Sequence, residues 1–231
     1  MDYHTPAIIR KSLIVVIVSL GCTAPSLAKN TVPVRPATAV VPLRPTETQL
    51  AAGRYVTQYL QKNHYRKVPV NDSLSQQIFR RYIEHLDGSK SYFLAGEVAA
   101  LRKAYGNRLD NEFLEGRSTT GFAIYNQFLR RSREKMRFMA LPLARLAAGA
   151  VDTVRFDFTR PESLDLDRKN DPWPADWGQL RALWKKELKY QWLSMKYSEG
   201  TEKSIRAELS KTYANRLKLL NQQKSDDAFQ A

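Results

Sequence analysis

LDLDRKNDPWPADWGQLRALWKKELKYQWLSMKY, residues Leu164 to Tyr197, holds all four tryptophans of the chain and two of its tyrosines. A covered tryptophan buries about 150–250 Å², a gross ~4–6 kcal/mol at about 25 cal/mol per Å². Trp177, Trp184 and Trp192 fall on overlapping faces of one helical stretch with Leu180 and Leu188, and Leu183 and Leu193 lie beside them. Trp173 is held between Pro172 and Pro174 just ahead of it, and Asp176 can cap the helix with Gln179 at its third position. So broad an apolar face predicts neighbours on more than one side. The stretch is read as the hub of an all-α, multi-helix domain, with Trp173 and Trp184 expected to be largely buried against the second and fourth helices.

Outward from this hub the helical pattern repeats. On the C-terminal side Gly200 closes the helix, Thr201 caps the next, and Ile205, Leu209, Tyr213, Leu217 and Leu220 form its stripe. Ser225-Asp226-Asp227-Ala228-Phe229-Gln230-Ala231 reads as the capped first turn of a further helix, cut short, its acids suited to the positive helix end. Upstream, Val154, Phe156 and Phe158 alternate with polar residues, which predicts a short extended segment near 151–158. Before it, Phe122, Tyr125, Leu129, Ser132, Met136, Met139, Leu143 and Leu146 repeat at spacings of three and four, a heptad-like seam that Pro142 should kink. A shorter helix is expected from Ala95 to Leu109, and another from Asp72 or Ser73 carries Leu74, Ile78, Tyr82, Ile83 and Leu86 to an Asp87-Gly88-Ser89 stop. The first helix opens on a Thr46-Glu47-Thr48-Gln49 capping box and runs to about His64, with Leu50, Tyr55, Tyr59 and Leu60 on or near one side. Residues 46–221 are thus one helical domain and 222–231 the truncated start of another helix, with a Pro-rich linker over 29–45 ahead of them.

With 43% apolar and 26% charged residues the chain is globular in composition. Its N-terminus reads as a signal peptide, residues 1–28: basic Arg10 and Lys11, an apolar run from Leu13 to Cys22, then Ser26-Leu27-Ala28 as a small-residue exit. The apolar run is short of the ~20 residues a transmembrane helix needs. Ser19-Leu20-Gly21-Cys22 offers a competing lipidation site, and Cys22 is the only cysteine. The expected location is therefore the periplasm, with a lipid anchor through Cys22 as the alternative. A net charge of +14 would suit nucleic acid, but export argues against that partner and favours an anionic envelope surface or an acidic protein. Arg130, Arg131, Arg133, Lys135 and Arg137 lie off the seam of their helix; such runs usually solvate an outer face, and here they form the candidate interaction face.

Chemistry is hard to find. His64 and His85 sit on different helices without a second ligand nearby, so no metal site is expected, and no cofactor motif is present. A Ser-Lys dyad needs a serine beside a desolvated lysine. Ser73, Ser118, Ser225 and the other serines read as caps or solvated residues, and no catalytic residue is assigned. Acidic pairs such as Glu84 with Asp87, or Asp165 with Asp167, are ordinary surface neighbours.

Several segments together resemble a known family. His64-Tyr65-Arg66, Ile78-Phe79-Arg80-Arg81-Tyr82 and Leu86-Asp87 are followed by Leu166-Asp167-Arg168, Pro172-Trp173-Pro174, Leu180 and Ala182-Leu183-Trp184. Tyr213, Arg216-Leu217 and Ser225 to Phe229 continue the series. In this order they resemble the N-terminal helical domain of the bacterial tail-specific (carboxyl-terminal processing) proteases, over roughly residues 46–231. His64, Tyr65, Asp167, Arg168, Trp173 and Trp184 are the marker positions. The resemblance implies a periplasmic serine endopeptidase that degrades proteins from apolar C-termini. A PDZ domain and a Ser-Lys core would follow this region, and an adaptor lipoprotein of helical repeats is a possible partner. None of the family's catalytic or peptide-binding residues falls on a position of this chain, which alone is expected to be inactive and to serve as scaffold or interaction domain. The alternative is a stand-alone basic helical module that binds anionic envelope material or a protein.

Overall fold

The structure, a computed structural model, describes residues 41–65, 69–147, 156–198 and 200–231. The expected signal peptide, most of the linker and residues 151–155 lie outside them. Among the described residues there are eight helices and no strand: α1 (Glu47–Asn63), α2 (Asp72–Leu86), α3 (Ala95–Tyr105), α4 (Leu109–Leu114), α5 (Thr119–Ala147), α6 (Trp177–Tyr197), α7 (Glu202–Gln222) and α8 (Ser225–Gln230).

Helix starts follow local polar chemistry. Thr46 and Gln49 close the capping box of α1, with Thr46 N–H donating to Gln49 Oε1 at 2.9 Å. Asp176 Oδ1 accepts from Gln179 N–H at 2.9 Å, and Thr201 Oγ1 from Ser204 N–H at 3.2 Å. For α2 the cap is Asn71, one residue before the expected start. The helix expected from Ala95 to Leu109 stops short: α3 ends at Tyr105 with Gly106 as its cap, and Leu109 N–H is turned onto Ser75 Oγ at 2.9 Å to begin α4. Gly116 then reverses the chain at φ +64°, so close to α1 that a Cβ there would lie 2.6 Å from Arg54 Cα.

α5, 29 residues and about 44 Å long at 1.5 Å per residue, is the axis of the fold. Its seam is buried from Phe122 through Tyr125, Leu129, Ser132, Met136 and Met139 to Leu143, and the helix continues past Pro142 to Ala147. The N-terminal half packs into one core with Phe79 and Ile83 of α2, Phe93, Val98 and Ala228. The C-terminal half shares a second core with Leu180, Trp184, Leu188 and Trp192 of α6 and Ile205, Leu209 and Tyr213 of α7. On α2 the buried line is Ser75, Phe79, Ile83 and Leu86, one position round from Leu74 and Ile78, with Phe79 and Ile83 in the first core. The described part of the expected extended segment, 156–158, pairs with no strand; Phe156 packs on Trp192 with ring centroids 5.6 Å apart, so this stretch is a strap on α6.

Candidate functional site

The densest buried polar cluster is built around the connection between α2 and α3, Asp87 to Leu94. Asp87 is 1% exposed, and its carboxylate faces the backbone that follows it. Oδ1 accepts from Ser91 N–H at 2.7 Å and Oδ2 from Phe93 N–H at 3.0 Å; Tyr92 N–H reaches both oxygens at 3.3 and 3.2 Å. Trp173 Nε1–H adds a fourth donor at 3.0 Å. Burial pushes the Asp87 carboxyl above its ordinary range, opposed by these hydrogen bonds. Lys90 takes the left-handed conformation, φ 53°, to turn the loop, and lays its ammonium 3.9 Å over the Trp173 ring.

The tryptophan hub clamps the same loop from the other side. Trp184, 1% exposed, donates its indole N–H to Ser91 O at 2.7 Å, and Ala95 N–H reaches Pro174 O at 2.9 Å. Thus Pro172-Trp173-Pro174 and the first turns of α6 are bolted to the α2–α3 connection. Of the two tryptophans expected to be largely buried, Trp184 is enclosed, against Phe138 of α5, and Trp173 is half-buried at the edge of the first core.

Lys135 meets this loop from α5. Its Nζ donates to Ser91 Oγ at 3.0 Å and lies 2.7 Å from Glu187 Oε2 and 4.6 Å from the Tyr92 ring. Ser91 is neither a cap nor solvated, contrary to the expectation for the serines, and a Ser-Lys contact is the ingredient of acyl transfer. Here the geometry is that of a clamp. The lysine lies against the Glu187 carboxylate, and Ser91 at 1% exposure presents its Oγ to Lys135 and Ser89.

The five basic residues expected to form one solvated interaction face do not. Arg131, Arg133 and Lys135 are buried, and only Arg130 and Arg137 are exposed, because α5 is covered on more sides than its seam predicts. Arg131 Nε donates to Glu97 at 2.9 and 3.0 Å, Nη1 to Glu134 at 2.5 Å, and the guanidinium lies 4.2 Å over the Trp177 ring. Burial opposes its charge, but the bonds to Glu97 and Glu134 prevail and hold it above the usual arginine range. Among the described residues Arg133 has no carboxylate partner; its Nη2 donates to Leu220 O at 2.7 Å near the C-terminus of α7, where a cation is favoured. Burial first, and then Arg137, push it below the usual range.

The other marker positions are scattered. His64 and Tyr65 stack at 5.0 Å beyond α1, with Tyr65 92% exposed. Asp167 is exposed, and Arg168 pairs locally with Asp171 at 3.3 Å. Trp173 and Trp184 bond into the cluster, while Asp167 and Arg168 line a shallow cleft beside its Gly88-Ser89-Lys90 turn. Asp87, expected as part of a turn and as an ordinary surface neighbour of Glu84, is instead enclosed, and Glu97 and Glu187 were missed; the Asp87-Gly88-Ser89 stop was the one local signal. Among the described residues no group of three or more His, Cys, Asp or Glu is placed to hold a metal, and no helix is long and apolar enough to cross a membrane.

Two comparisons bear on this arrangement. The family profile described as "Tail specific protease N-terminal domain" matches residues 56–231. A curated relative, the "Tail-specific protease" of Haemophilus influenzae, is 29% identical over 196 residues, covering 85% of this chain and 27% of the relative. The chain therefore spans about a quarter of that relative's length.

Proposed function

Because the chain belongs to the tail-specific protease N-terminal domain family, we propose that it is the helical scaffold and interaction domain of a periplasmic serine endopeptidase that degrades proteins from their C-termini. In this reading, substrate tails are bound and cut by PDZ and protease parts outside this domain, and an adaptor protein can dock on the helices. The observation that carries it is coverage: the N-terminal domain family matches residues 56–231, while the chain covers 27% of the Haemophilus influenzae relative. The site agrees in kind, since its buried polar groups are occupied in holding helices together. The sequence pattern of Arg10, Lys11 and the apolar run to Cys22 supports export.

The test is to express this chain beside the unmatched remainder of the Haemophilus influenzae relative as a second polypeptide. The two should co-purify, and cleavage of a peptide with an apolar C-terminus should require the second polypeptide. Cleavage by the chain alone, or failure of the two parts to associate, overturns the reading.

A further inference from the structure

The outer face of α6 does not look like a solvated surface. Its inner face is spent on Leu180, Trp184, Leu188 and Trp192, all buried. Opposite them, Lys186, Tyr190, Leu193 and Tyr197 follow one another at spacings of four, three and four, one stripe along the helix. Tyr190 is 47% and Tyr197 83% exposed. Alongside runs the 156–164 strap, and between the two lies a cleft of about 310 Å³ whose apolar lining is Phe158, Leu164, Tyr190 and Leu193. A volume of about 300 Å³ is at the small end of ligand sites, enough for one or two side chains.

The walls of this cleft are tied down. Phe158 leans on Phe156 at 6.0 Å, and Phe156 on Trp192, so the apolar lining is continuous with the second core. Lys189 bonds Asp157 O and, at 2.5 Å, Glu162 Oε2; Lys186 reaches Ser163 O at 3.2 Å. Site and strap are thereby preformed, which lowers the ordering cost of binding.

Charge selects the occupant. The carboxylates on this face are already taken: Asp157 by Arg160 at 3.2 Å and Glu162 by Lys189, whose hydrogen bond holds the Glu162 carboxyl below its usual range. Among the described residues Lys186 and Lys196 have no carboxylate within ion-pair distance, and Lys196 lies 5.7 Å over the Phe158 ring. An apolar cavity with exposed Lys186 at its rim and Lys196 over Phe158 fits an aromatic or leucine side chain flanked by acids. A lipid surface would be met by a broad cationic plane; here the cations rim a concave pocket.

We propose that the cleft between the 156–164 strap and α6 is a docking site for an acidic peptide segment of a protein partner, anchored by one aromatic or leucine side chain. The proposal rests on the scaffold reading and gives its interaction surface a location, on α6 instead of the Arg130–Arg137 run.

The experiment uses the full chain and fluorescein-labelled peptides in which a central phenylalanine is flanked by glutamates, read by anisotropy at physiological salt. Controls replace the phenylalanine by serine or the glutamates by lysines, and vesicles of phosphatidylglycerol and phosphatidylcholine are tested in parallel. The acidic phenylalanine peptide should bind with a Kd of about micromolar, and both altered peptides should bind at least ~10-fold more weakly. K186E/K196E and Y190A should each weaken binding about 10-fold or more, while R130E/R137E leaves it unchanged; all are exposed positions, checked for unchanged melting. No binding, binding indifferent to these variants, or retention by the vesicles alone overturns the proposal. Such a failure is distinct from failure of the scaffold reading, because co-purification with the remainder of the protease is measured separately and does not use the peptide.

Discussion

Replacing Asp87 by alanine removes the one acceptor shared by three backbone amides and an indole. The donors, Ser91, Tyr92 and Phe93 N–H and Trp173 Nε1–H, lie at 2.7–3.3 Å in a site only 1% exposed. Each buried donor left unpaired costs about 1–3 kcal/mol. Four of them set a gross loss of ~4–12 kcal/mol, but water entering the space restores part of it, and the cost of burying the charge disappears with the carboxylate. We expect a net loss of ~3–5 kcal/mol for Asp87→Ala, the range seen when a buried polar network is broken. Against a typical total of about 5–15 kcal/mol this leaves the domain close to unfolding. Asp87→Asn keeps the shape but points an amide N–H₂ at donors, and should lose about 2–3 kcal/mol. Urea unfolding followed in parallel by far-UV circular dichroism and tryptophan fluorescence measures both. The pairing with Trp173 is isolated by the Asp87→Asn, Trp173→Phe cycle, with an expected coupling of ~1–2 kcal/mol. A loss under ~1 kcal/mol for Asp87→Ala would refute the role of this carboxylate as the anchor of the α2–α3 connection.

Other outcomes follow from the same contacts. Arg131→Met strips Glu97 of its enclosed partner and should cost ~2–4 kcal/mol in the same urea assay, whereas Arg130→Met, at an exposed position, should stay within about 0.5 kcal/mol; equal effects would contradict the burial difference. Tyr213 is fully enclosed, its hydroxyl donating to Gln191 Oε1 at 2.7 Å, and burial pushes its pKa up to about 12. A folded value above the unfolded one means that the phenol's contribution is full below about pH 10 and is lost as pH rises through about 12. Alkaline unfolding is therefore expected in that window, with tyrosinate absorbance and loss of helix appearing together. Tyr213→Phe should move the transition upward, and an unmoved transition would count against it. Tyr82, Tyr92 and Tyr125, also raised by burial, share the remainder of the effect. Gly116→Ala forces a Cβ onto Arg54 at a left-handed backbone position and should cost ~2–4 kcal/mol; a thermal melt showing no change would contradict the close approach of α1.

The legibility of these contacts depended on their range. The Thr46 box and the Asp176 and Thr201 caps span three residues each, so residue type and spacing were enough to place them. The seam of α5 was readable for the same reason, since periodicity is local. The anchoring role of Asp87 was not visible, because its partner Trp173 lies 86 positions away and the amides it gathers carry no side-chain signature. Lys135 and Arg131 were misread as solvated: a charge on a helix looks solvent-facing until one knows that Glu187 and Glu97 approach from other helices.

What the amino-acid sequence determined by itself was the all-α class, the helix starts, the tryptophan-rich hub and the family. These rest on short-range periodicity, capping and the order of motifs. Only the tertiary structure decided which faces were left over. It enclosed three of the five basic residues around Arg130 to Arg137, left Lys186 and Lys196 exposed on the outer face of α6, and turned the hub into the clamp on Asp87 to Leu94. The reason is that burial belongs to pairs of elements: a helix carries its own periodicity, but its neighbours determine which of its charges stay in water.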